Sequence, residues 1–187
     1  MYPAQFRFPR KEETDSKYYY FTIDSRDRNR TAWPSSAQFQ VKMEPENTYT
    51  GATLGRNYKN VKSLELVSAI YPNTSNVLNE AYLYLCIPEL EARMYDGTNI
   101  TATKSFAKLI PTRNTSNFVY SDLGIFDDPP MLEFHDQGHR LDRLTLEFRK
   151  PDGTLFDFGS DGGGTPNSAL QTHLTFRVKI VEPIKPN

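Results

Sequence analysis

The chain has almost none of the features that point to a cross-linked, membrane-bound or strongly charged protein. A single cysteine, Cys86, excludes an internal disulfide framework and fits a reducing compartment. It lies in the apolar run 82–87 and reads as a buried, inert thiol. Charges nearly cancel, with 22 Lys and Arg against 23 Asp and Glu. No global field therefore draws the chain to nucleic acid or an anionic membrane surface. No apolar stretch approaches the ~20 residues of a membrane-spanning helix. The opening MYPAQFRFPRKEE lacks an apolar h-region and does not read as a secretory signal.

Catalytic constellations are missing as well. Of the three histidines, His135 and His139 share HDQGH, whose Asp-Gln-Gly content reads as a turn, and His173 stands alone. Asp161 precedes three glycines and reads as a flexible connection, without the acidic spacing of a calcium loop or the Lys-Ser/Thr of a phosphate loop. No serine occupies a nucleophile-elbow pattern. These absences predict neither enzyme, metal nor cofactor. Asn29, Asn73, Asn99 and Asn114 begin glycosylation sequons, which arise by chance in chains rich in Asn and Thr.

Aromatic residues, turn formers and period-two alternation are abundant. There are 12 Phe and 11 Tyr, broken up by 13 Pro and 10 Gly. Strands are predicted over 18–24, 38–43, 61–71, 81–87, 103–112, 131–135, 141–149 and 172–181. Leu144, Leu146 and Phe148 alternate with Thr145 and Glu147, and Leu174, Phe176, Val178 and Ile180 alternate with Thr175, Arg177 and Lys179. Each pattern describes a strand with one wet face. In 61–71, Leu64, Leu66 and Ser68 are predicted to share a face. Residues 89–95 read as a short helix, and Pro151-Asp152-Gly153 as the turn of a hairpin whose second strand starts at Phe156 and Phe158. Eight strands with unequal loops predict an all-β fold: a single eight-stranded antiparallel jelly roll, a two-sheet Greek-key sandwich. Residues 1–17 read as an N-terminal arm and 18–187 as the one domain.

One segment stands apart. YYYFTIDSRDRNRTAWP, residues 18–34, runs from an aromatic strand into a dense ionic turn. Arg26, Asp27, Arg28 and Arg30 are too costly to bury unpaired, so this turn is expected to stay outside the core. With Trp33 they form a candidate subunit interface, since Arg and aromatic residues are enriched where proteins meet.

In order along the chain come Asp24-Ser25-Arg26-Asp27-Arg28 with Trp33-Pro34; then Asn60-Val61-Lys62-Ser63, Leu66-Val67-Ser68-Ala69 and Pro72-Asn73-Thr74; then Leu144–Phe148, Asp152-Gly153 and Phe156-Asp157-Phe158-Gly159. This ordered set, over residues 18 to 182, resembles the single jelly-roll minor capsid and penton (vertex) proteins of nucleocytoplasmic large DNA viruses of algae and amoebae. The resemblance implies a virion protein made in the host cytoplasm. It would assemble with itself as a pentamer and with major and minor capsid proteins, without nucleic acid, a membrane span or a cofactor. Penton is favoured over a cement protein of the same shell, because one roll plus a short arm accounts for nearly the whole chain. A carbohydrate-binding jelly roll using Tyr18, Tyr19, Tyr20 and Trp33 is the rival of a different class, and a cupin-like metalloenzyme is a second.

Overall fold

The structure is a computed structural model that describes residues 14–43, 49–90, 97–123, 129–135 and 139–183. Among these, eleven strands form two sheets. They are β1 (Thr14–Asp24), β2 (Gln38–Met43), β3 (Ala52–Leu54), β4 (Val61–Pro72), β5 (Leu83–Cys86), β6 (Ala107–Leu109), β7 (Arg113–Asn114), β8 (Phe118–Asp122), β9 (Met131–Glu133), β10 (Arg143–Arg149) and β11 (His173–Pro183). One sheet runs β1-β11-β4-β8-β7, with β9 also on β4; the other runs β3-β2-β10-β5-β6. Setting aside the end strands β3 and β7, and β9, which lies off the main path, eight strands remain. Numbered in chain order they form sheets 1-8-3-6 and 2-7-4-5, the double Greek key of a jelly roll. All pairings are antiparallel except the short β2–β3 contact.

The inner faces carry the core. From β10 and β2 come Leu144, Leu146, Phe148, Phe39 and Val41; from β11 and β1 come Leu174, Phe176, Val178, Phe21 and Ile23. Phe21 stacks on Phe176 with ring centroids 5.2 Å apart, and Phe148 meets Phe158 edge-on at 5.4 Å. The interior of the roll is therefore filled with side chains. Truncating one such Phe to Ala removes about 3–5 kcal/mol of transfer and cavity energy.

Several expectations shift. β1 begins at Thr14, opposite Pro183, so residues 14–17 belong to the sheet and not to an arm; residues 1–13 lie outside the described residues. The eight strands of the roll include β8, which the hydrophobic pattern does not reveal, in place of the flanking β9. Its inward positions are Val119 and Ser121, and Ser121 satisfies its hydroxyl on the Ile110 carbonyl at 2.9 Å. In β4 the alternation changes face. Register shifts leave Lys62 and Val67 as extra residues, so Val61, Leu64, Leu66, Ala69 and Tyr71 face the core while Ser68 turns away. Residues 103–112 hold only three strand residues, preceded by the helical turn α1 (Ile100–Thr103), which Asn99 caps by accepting from the Ala102 amide at 2.7 Å. Of the short helix read over 89–95, the described part is a 3-10 turn at Pro88–Leu90, and 91–95 lie outside the described residues.

The hairpin after β10 is also shorter than expected. Gly153 takes φ +90°, and Lys150 and Thr154 close the turn at 2.9 Å. A single bridge, Arg149 to Leu155, follows. Phe156 and Phe158 then dive into the core instead of extending a second strand. Burying two aromatic rings outweighs the few ladder bonds that an exposed hairpin would add.

Candidate interface at one end of the roll

The strand directions bring four connections, 25–37, 73–82, 110–117 and 150–172, to the same end of the sandwich. Hydrogen bonds tie them together: Asn73 Nδ2 donates to the Thr115 carbonyl at 2.8 Å, and Thr74 Oγ1 to the Phe158 carbonyl at 3.2 Å. The ionic turn singled out in the sequence sits here, directly after β1. Asp24 ends that strand and caps a 3-10 turn, Ser25–Asp27, by accepting from the Arg26 amide at 2.9 Å.

The turn has two faces. Arg28 points inward, and its side chain is 0% exposed. This corrects the expectation that the charged residues stay outside the core. The cost of burying a guanidinium is met because all five of its N–H donors find acceptors. Nε donates to the Trp33 carbonyl at 2.8 Å; Nη1 to the Ser25 carbonyl at 2.7 Å and Gln171 Oε1 at 2.8 Å; Nη2 to the Pro34 carbonyl at 3.0 Å and to Asp161 Oδ1. Burial lowers the proton affinity of Arg28, and the Asp161 carboxylate opposes that effect. The second Asp161 oxygen accepts from Gln171 Nε2 at 2.7 Å and from the Asn167 amide at 3.0 Å. Ser25 Oγ completes the network between Gln171 Oε1 and the Thr172 amide, at 2.8 Å each.

Arg30 and Trp33 also turn inward. Arg30 Nη1 reaches the Asp161 carbonyl at 3.4 Å, and Trp33 is half-buried against the core. Arg26 and Asp27 alone of the five predicted residues are exposed. Arg26 Nε holds the Asp24 carboxylate at 3.0 Å, and that bond raises its pKa. Other connections at the same end expose the apolar side chains Leu78, Ile110 and Leu155. Sequence reasoning missed Asp161, Gln171 and Ser25. Asp161 lies 133 residues from Arg28, inside a glycine-rich run that reads as a plain hinge.

A concavity of about 640 Å³ lies outside the five-stranded sheet between Cys86, Ile100, Lys104, Glu147 and Arg149. Desolvation pushes the Cys86 thiol up to about 11, so it is protonated and unreactive at neutral pH. Among the described residues no group of three or more His, Cys, Asp and Glu side chains could hold a metal ion. No helix among them is long and apolar enough to cross a membrane. No protein-family model matches the chain, and no curated protein matches its sequence.

Proposed function

We propose that this protein is a structural subunit of an icosahedral virus shell, the penton that forms five-membered rings at the vertices. The observation that carries the reading is the strand order. A single jelly roll accounts for nearly all described residues, and its interior is packed solid with side chains. The ordered motifs that resemble the penton and minor capsid proteins fall on the roll in a consistent way: the Asp24–Pro34 turn, the Pro72-Asn73-Thr74 exit and the Asp152–Gly159 segment all belong to the loop end. That end presents the opposite charges of Arg26 and Asp27 and, elsewhere on it, the exposed Leu78, Ile110 and Leu155, a polar and apolar mixture suited to contact with a neighbouring subunit. The buried Arg28 network holds that surface in one shape, which lowers the ordering cost of association.

The test is the mass of the purified protein in solution together with its copy number in virions. A pentamer at about sixty copies per particle, five for each vertex of an icosahedron, fits the penton reading. A monomer present at several copies per capsomer would indicate a cement role in the same shell. Absence from virions would remove the capsid reading altogether.

A further inference from the structure

We propose that the outer face of the six-stranded sheet carries a binding site for an acidic saccharide, centred on Tyr18 and Lys179. The inference does not rest on the capsid reading, because the site lies on the side of the roll, on strand faces away from the loop end.

The ladder registers lay out this face in rows. One row runs Tyr20, Arg177, Glu65 and Met131 across β1, β11, β4 and β9; the next runs Tyr18, Lys179, Ser63 and Glu133. In the first row Arg177 is paired within the row, and its guanidinium also lies 5.6 Å from the Tyr18 ring centre in the next. Arg177 donates to Glu65 from Nε at 2.8 Å and Nη2 at 2.6 Å. The second row is open. Lys179 Nζ lies 5.6 Å from the Tyr18 ring centre, and among the described residues no carboxylate is within ion-pair distance of Lys179 or of Lys62. Glu133 likewise has no cationic partner among the described residues.

These side chains surround a depression of about 330 Å³ lined by Ser16, Lys62, Ser63, Glu133, His135 and Lys179. Its size is at the small end of ligand sites, roughly 300–1,000 Å³, with room for a single sugar ring. Two ammonium groups against one carboxylate favour a ligand bearing a carboxylate or sulfate. The serine hydroxyls, the imidazole and Glu133 offer both donors and acceptors, as a polyhydroxylated ring requires. Tyr18, paired across the ladder with Lys179, adjoins it, and Tyr20 lies in the next row; they are 55% and 61% exposed, flat apolar surfaces on which the C–H face of a sugar can lie. Tyr19, the residue between them, is unavailable, since it packs against the core with the Arg56 guanidinium 3.6 Å over its ring.

The experiment uses the full chain on an array of sialylated, uronic-acid-containing and sulfated oligosaccharides printed beside their neutral parents, followed by titration of the best binder. Acidic glycans should bind above their neutral parents and weaken with added salt. Tyr18→Ala and Lys179→Gln should each lower affinity about tenfold or more, Tyr18→Phe should retain it, and Arg113→Ala on β7 should leave it unchanged. All four variants should melt like the parent protein, because the side chains are surface groups. Equal binding of neutral and acidic glycans, no glycan bound, or affinity unmoved in both Tyr18→Ala and Lys179→Gln overturns the proposal. Tighter binding of a polyglutamate peptide than of any saccharide overturns it too, and assigns the face to a protein partner.

Discussion

The loop end and the outer face of the six-stranded sheet use the same residue types to opposite ends. Both mix Arg or Lys with aromatic rings and a few carboxylates. At the loop end Arg28 is saturated by five acceptors drawn from segments far apart in sequence, so its charge serves the fold. On the sheet face Arg177 is paired with Glu65, yet Lys179 one position along the outer side remains open. The difference lies in burial. A cation sealed from water must be fully paired or it unfolds its surroundings, whereas a cation at the surface can stay unpaired at little cost and wait for a ligand.

If that contrast holds, the largest effect belongs to the sealed pair. Asp161→Ala should destabilise the protein by about 3–5 kcal/mol in denaturant titration, since it leaves a buried guanidinium without its counter-ion. Arg28→Ala should cost a similar amount, and Arg28→Met combined with Asp161→Leu should recover much of it. A loss within the range of surface pairs would mean that Arg28 is solvated after all. Arg177→Ala comes next, at about 1–3 kcal/mol, because the Glu65 side chain, only 6% exposed, loses its partner.

The core was largely readable from the sequence, and the reasons are physical. In β10 and β11 one face is buried throughout, so the alternation of Leu144, Leu146 and Phe148, and of Leu174 through Ile180, is printed directly in the residues. β4 hides its pattern because two bulges change which parity faces inward. β8 hides its own because a hydrogen-bonded Ser121 stands where an apolar residue would announce a core position. The candidate interface was legible only in part. The charge-rich turn is evident, but nothing local separates Arg28, which is sealed, from Arg26, which is exposed. That choice is made by Asp161 and Gln171, far along the chain, and long-range pairing leaves no periodic trace.

Two smaller effects sharpen the contrast. Cys86 has a thiol raised to about 11 by burial. Because the folded value lies above the unfolded one, its contribution is complete below about pH 9 and is lost as the pH rises through about 11. Stability should therefore fall over that window, and Cys86→Ser should flatten the decline. Thiol labelling of the native protein at neutral pH should be slow until denaturant is added. Fast labelling would show that Cys86 is open to solvent. The smallest effect on stability belongs to Arg26→Ala, which should leave the melting temperature unchanged while weakening self-association in sedimentation. Unaltered assembly would remove Arg26 from the interface.

The strand order also sets a timetable. β1 precedes every other described strand, yet its ladder partner is β11, which also separates it from β4. Until His173–Pro183 has been synthesised, the Tyr-rich β1 and the long β4 have no shared neighbour, and Ser25 has no Thr172 to bond. A nascent chain must therefore carry its aromatic first strand unpaired until β11 has been made, and contacts this distant in sequence close slowly. Shortening the chain before β11 would remove a strand from the middle of a sheet, not from its margin. Folding intermediates of this protein should engage chaperones early and release them abruptly, when β11 slots between the first and the third strands of the roll.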